Sequence, residues 1–172
     1  MAQKGVPPGN PDPSEPVRAV HLDEFTEGAT NAIELDGVGA SILAQPGGDG
    51  TTIPVFVVET LSGEVLRFEG EPSYFSFLPV SLTIAHLDHS TETPEVLATS
   101  YTGGAHCCER VQIAALQPDG SWVMSEFGSF DGGYALVDPD SDGGGEIEIA
   151  DQRFLYTFQC YSCSLPPPRL FP

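Results

Sequence analysis

The chain has 172 residues, 40 % of them apolar, which suits one ordered domain rather than a disordered polymer. It contains no apolar run of about 18 residues, so a transmembrane helix is excluded. Twenty-five acidic residues against six basic ones give a net charge of −19, which repels nucleic-acid phosphates and anionic lipid, so nucleic acid is not a partner.

Residues 1–17 hold five prolines and two glycines and little to bury. Residues 1–19 are therefore read as a disordered, proline-rich tail, and residues 20–172 as a single β domain. The first 20 residues lack the apolar stretch of a signal peptide; the expectation is that Met1 replaces a removed leader.

From Val20 onward the pattern is short β-runs bounded by turn residues. Thr26–Ala32 is read as a short helix. Thr52–Thr60 is dense in β-branched and aromatic residues, and Val65–Phe68 follows Ser62-Gly63 as the second arm of a hairpin. Further strands are expected at Tyr74–Leu78, Val80–Ala85, Val96–Tyr101, Val111–Leu116, Trp122–Phe127, Ala135–Val137, Ile147–Ala150 and Phe154–Cys160. The 19 glycines and 16 prolines leave no room for long helices. Pro166–Pro172 is read as extended structure or a loose strap. Tyr101, Trp122, Phe127, Phe130, Tyr134, Phe154, Tyr156 and Phe158 recur at strand-like positions and are assigned to the core rather than to a sugar-stacking platform.

The second half contains an internal repeat. Leu82–Thr99 and Tyr134–Asp151 each show a short apolar run, a polar loop with Asp, then Glu and an alternating β-run; Glu95 and Glu146 are 51 residues apart. The first copy is one residue longer and poorer in acids.

Asp138-Pro-Asp140-Ser-Asp142-Gly-Gly144-Gly-Glu146 has the form D-x-D-x-D-G-x-x-E. Calcium takes six to eight oxygens at about 2.3–2.6 Å. Carboxylates at alternate positions of a tight loop can converge on one ion, and the glycine after Asp142 permits the sharp turn. The candidate ligands are Asp138, Asp140, Asp142, the Gly144 carbonyl and Glu146. An EF-hand would close at position 12 between helices; here the closing acid is at position 9 between β-like flanks. Over Leu136–Ile149, and more weakly over Leu82–Thr99, the chain resembles FG-GAP/VCBS repeats, whose loop joins two strands of a propeller blade. In the first copy His86, Asp88, Ser90 and Glu95 stand at comparable positions. His86, Asp88 and Glu95, with His106, form the candidate for a second metal or functional site.

Ser100–Cys108, with its Gly-Gly-Ala-His-Cys-Cys end, and the run Arg153–Cys163 resemble an uncharacterised group of exported bacterial proteins that pair this segment with a D-x-D-x-D-G loop. That resemblance implies an envelope location and a β fold. For Cys107, Cys108, Cys160 and Cys163 three chemistries compete. In the first, Cys107 and Cys108 each bond one of Cys160 and Cys163, each link closing about 50 residues and contributing roughly 4 kcal/mol. In the second, the cysteines and His106 bind zinc or copper(I). In the third, Cys160-x-x-Cys163 is redox-active, although a thioredoxin-like site would need a helix N-terminus and this motif ends a predicted strand. His106 is otherwise a turn histidine.

The fold expected is all-β and antiparallel, with propeller-blade-like repeats packed as a compact sandwich. The function expected is that of an exported, periplasmic or secreted, disulfide-stabilised domain with calcium as cofactor. It would act as a non-catalytic interaction or structural module for an envelope partner. The alternatives are an extracytoplasmic hydrolase with structural calcium and His106 near its site, and a soft-metal-handling protein.

Overall fold

The computed structural model describes residues 18–172 apart from 28, 75–77, 89–90, 105–107, 159 and the side chain of Ser162. Twelve strands are formed among the described residues, together with three short 3-10 turns and no α-helix. All strand pairs are antiparallel.

The strands make three sheets. The four-stranded sheet is the meander β2 (Ala32–Leu35), β3 (Val38–Pro46), β4 (Thr52–Thr60) and β5 (Gly63–Glu69). The five-stranded sheet has the order β1 (Ala19–Leu22), β6 (Val80–Ala85), β7 (Glu95–Tyr101), β8 (Glu109–Leu116) and β9 (Trp122–Phe130). The three-stranded sheet is β10 (Ala135–Val137), β11 (Glu146–Ala150) and β12 (Pro168–Phe171).

Period-2 alternation shows how the sheets stack. Leu82, Ile84, Val96, Ala98 and Ala114 point from one face of the five-stranded sheet into a core shared with Ile42, Phe56, Val58 and Phe68 of the four-stranded one. Leu97 and Ile113, on the opposite face, join a second cluster with Ile147, Ile149, Leu136 and Phe171 of the three-stranded sheet. The five-stranded sheet is therefore the middle of three layers. Six of the seven residues of β7 are buried, because neither face meets water.

The expected antiparallel β sandwich is present, with a third layer. The helix read at Thr26–Ala32 does not form. Asn31 ties that segment as a loop, its amide oxygen accepting from the Thr26 N–H and its amide nitrogen donating to the Thr26 carbonyl. The β2–β3 hairpin turns on Asp36-Gly37, both at positive φ (49° and 82°), a two-residue turn whose twist matches that of the strands. Of the Tyr74–Leu78 run, residues 75–77 lie outside the described part, and Ser73 makes an isolated bridge to Thr52. Phe154–Cys160 is not a strand: Gln152–Phe154 is a 3-10 turn and Tyr156 has φ 60°. Phe154, Tyr156 and Phe158 are correspondingly exposed, which corrects their assignment to the core. Trp122, Phe127, Phe130 and Tyr134 do pack against the two cores. The C-terminal segment is a paired strand, β12, rather than a loose strap.

Candidate calcium loop

The two repeats occupy equivalent places in neighbouring sheets. Glu95 opens β7 opposite Ala85, the last residue of β6; Glu146 opens β11 opposite Val137, the last residue of β10. Each loop thus leaves one strand and returns through a glutamate on its antiparallel partner. The repeats also touch each other. The Tyr134 hydroxyl donates to Thr83 Oγ1 at 2.8 Å, and the Gly145 N–H donates to the His86 carbonyl at 2.9 Å.

In the second loop Asp138, Asp140 and Glu146 each bring a carboxylate oxygen within 4.8 Å of the others. Among the described residues this is the one group of three His, Cys, Asp or Glu side chains so arranged. Asp138 is 8 % exposed, and its two oxygens accept from the N–H groups of Asp142 (3.1 Å) and Gly143 (2.9 Å). Those bonds wrap the chain around its side chain, with Ser141 and Gly143 at positive φ supplying the tight turn. Asp140 Oδ1 also accepts from the Asp142 N–H, at 3.3 Å. Desolvation and the charge of Asp142 push the Asp140 carboxyl above the usual carboxylate range. Glu146 Oε2 is buried and accepts no hydrogen bond from the described residues. Asp142, an expected ligand, stands outside the trio, and its Oδ1 accepts from the Gly144 N–H at 3.1 Å.

An anionic oxygen held from water without a donor is costly, by several kcal/mol if nothing compensates. A hard dication beside Asp138 and Asp140 would compensate it, and a hydrogen-bond donor would too. The first loop shows the second solution. Glu95, also 8 % exposed, turns its carboxylate back so that Oε2 accepts from the Leu87 N–H at 2.9 Å. Burial raises its proton affinity, and backbone donors from Leu87 and Asp88 partly offset the rise. His86, at the position of Asp138, binds the Asp36 carboxylate instead, Nε2 to Oδ2 at 2.8 Å. His86, Asp88 and Glu95 therefore do not converge as a metal group, and Ser90 and His106 lie outside the described residues.

The cysteines differ from expectation. Cys160 and Cys163 bond each other, so the cross-links from Cys107 and Cys108 to this pair are not formed. Cys108 is also disulfide-bonded, with its sulfur 3.8 Å from Gln152 Oε1; Cys107 lies outside the described residues. The sulfurs of the described cysteines are thus engaged as disulfides rather than available as thiolates for a soft metal. A cavity of about 570 Å³ opens between Phe25, Gln45, Gly47, Thr51 and Leu78, with Glu24 and Glu27 at its wall; its described lining contains no histidine, cysteine or serine.

A probable thylakoid lumen protein of Synechocystis is 35 % identical over 145 residues, which cover 81 % of this chain and 42 % of that protein. An uncharacterised protein of Sinorhizobium fredii is 35 % identical over 105 residues, 60 % of this chain and 16 % of that protein. The chain spans less than half the length of these curated relatives. No family model matches the chain, and no solved structure does.

Proposed function

We propose that this chain is an exported calcium-binding β domain of the FG-GAP/VCBS kind, acting as a non-catalytic structural or interaction module. The observation that carries the reading is Glu146 Oε2, buried without a donor beside Asp138 and Asp140. The loop has the oxygen chemistry and the curvature for a hard cation. Its sister loop, with a histidine at the first position, satisfies the corresponding glutamate from the backbone. Asp138, Asp140 and Glu146 are the first ligands; backbone carbonyls, Asp142 and water would complete the shell.

Export is supported by the disulfide, which belongs to an oxidising compartment, and by the relative named as a probable thylakoid lumen protein. No helix among the described residues is long and apolar enough to cross a membrane. A module role suits a chain that matches only part of longer proteins.

Calcium is expected to raise the melting temperature. At a free concentration one hundred times Kd the linkage amounts to about 2.7 kcal/mol. Asp140→Ala should remove most of that gain while the EGTA-treated variant melts no lower than the EGTA-treated parent. An identical melting curve for the parent in calcium and in EGTA would overturn the reading.

A further inference from the structure

The Cys160-x-x-Cys163 disulfide staples nothing together. Its two cysteines are three residues apart, and the loop-closure gain from a cross-link shrinks with the size of the ring it closes. The turn it spans is already held by other bonds. The Cys163 N–H donates to the Cys160 carbonyl at 3.0 Å, and the Ser164 N–H to the Tyr161 carbonyl at 3.1 Å. The Ser164 hydroxyl donates to the Cys160 carbonyl as well, and the Tyr161 hydroxyl to Asp131. Opening the disulfide would therefore leave the two sulfurs facing one another in a turn that persists.

Both cysteines are exposed, and exposed disulfides are the labile, exchanging ones. The segment around them gathers several exposed apolar side chains; Leu61 and Tyr74 are likewise exposed elsewhere in the chain. Tyr156 is 66 % exposed, Phe158 78 % and Leu165 95 %. Tyr156 lies ring to ring with Tyr161 at 5.5 Å and holds φ 60°, a conformation unfavourable for an aromatic residue. Apolar side chains held out in this way beside a reducible bond are a surface to dock against, and the bond at its centre states what the docked partner must offer.

We propose that Cys160–Cys163 is a redox-active disulfide that exchanges with the dithiol of a protein partner, which docks on Tyr156, Phe158 and Leu165. A partner thiolate attacks one sulfur of the pair. The Cys160–Cys163 bond breaks, a mixed disulfide forms and the other cysteine leaves as a thiolate. The partner's second thiolate then attacks the mixed disulfide and releases the first cysteine. The partner is oxidised to a disulfide; Cys160 and Cys163 are reduced by two electrons and take up two protons. The calcium loop has no part in these steps.

The test uses the full chain. It is equilibrated with oxidised and reduced dithiothreitol over a range of ratios, trapped by alkylation and mapped by mass spectrometry, so that the Cys160/Cys163 peptide is read apart from that holding Cys107 and Cys108. The two thiols are expected to titrate together as one two-electron step, with the melting temperature of the protein nearly unchanged. Thioredoxin, as the protein dithiol probe, should reduce the pair at least about tenfold faster than dithiothreitol at equal thiol concentration. Phe158→Ser combined with Tyr156→Asn, chosen because Asn tolerates positive φ, should remove that acceleration and leave the dithiothreitol rate unchanged. Protection of both sulfurs until the protein unfolds would overturn the proposal, as would a large fall in melting temperature for the folded Cys160→Ser/Cys163→Ser double variant. Equal rates with thioredoxin and dithiothreitol would overturn the docking surface.

Discussion

Glu146 holds a buried carboxylate oxygen that nothing among the described residues satisfies, and Glu95 holds one that the Leu87 amide satisfies. The difference makes Glu146→Gln informative. Without calcium it removes one of three clustered negative charges and supplies an amide that can donate to Asp138 or Asp140. The variant is expected to be more stable than the parent in EGTA, by about 1 kcal/mol. With calcium it would lose a charged ligand of the proposed site, so the expected calcium-dependent rise in melting temperature should largely vanish. Paired melts with and without EGTA read both effects, and a variant less stable in both conditions would count against the site. A second residue-scale expectation concerns acid. Hydrogen bonds and charge from Arg153 hold the Asp151 carboxyl down at about 2. A depressed carboxylate stabilises the fold above its unfolded value of about 3.9, and that contribution is lost as pH falls through the interval down to about 2. Arg153→Ala should therefore flatten the acid side of the stability profile over this window, as seen by melting temperature against pH. The alkaline side has the opposite sign. Burial raises Tyr134 to about 12, so its contribution is intact below about 10 and is lost as pH rises toward 12.

At the scale of elements, the hairpins show which local signals were legible. Thr52–Thr60, Val80–Ala85 and Ala135–Val137 form strands with the bounds read from the sequence, because β-branched runs between turn residues have few other uses. The β2–β3 hairpin was missed. Its strands are rich in Ala, Gly and Ser, residues without β preference, and the informative signal was the Asp36-Gly37 dipeptide. Gly37 sits at φ 82° with no atom within 4 Å of where a Cβ would be, so Gly37→Ala tests the backbone term alone. It should cost about 1–2 kcal/mol, read as a shift in the denaturation midpoint at unchanged m-value. A neutral result would mean that the turn relaxes to another type. The error at Phe154–Cys160 has the reverse cause. Alternating aromatics imitate a half-buried strand, but the 3-10 turn at Gln152–Phe154 and the positive φ of Tyr156 break the extended backbone a strand needs, and β12 takes the edge of β11.

For the molecule as a whole, the layering and the charge work together. A middle sheet covered on both faces gives the chain two apolar cores, while most of the described acids, Glu95, Asp138 and Asp151 apart, lie at the surface and repel one another. Sodium chloride is therefore expected to raise the melting temperature modestly through screening, over a Debye length of about 8 Å at physiological ionic strength. Calcium at the proposed site would act differently, by direct coordination. Its shift at about 1 mM should persist against a background of about 0.15 M sodium chloride. A calcium shift that disappears in salt would assign the effect to general screening and away from Asp138, Asp140 and Glu146.

Local chemistry written along the chain was enough to establish the β class, most strand positions and the nine-residue acidic loop. Those follow from side-chain branching, turn residues and spacing, which act over a few neighbours. Contacts between distant residues decided the rest. That the five-stranded sheet lies between two others depends on which faces meet after folding. That Asp142 accepts from the Gly144 N–H while Glu146 closes on Asp138 and Asp140 depends on where β11 places its first side chain opposite Val137. That Cys160 bonds Cys163 rather than a cysteine about 50 residues away follows from the turn at Tyr161–Cys163, a geometry that the cysteine count cannot express.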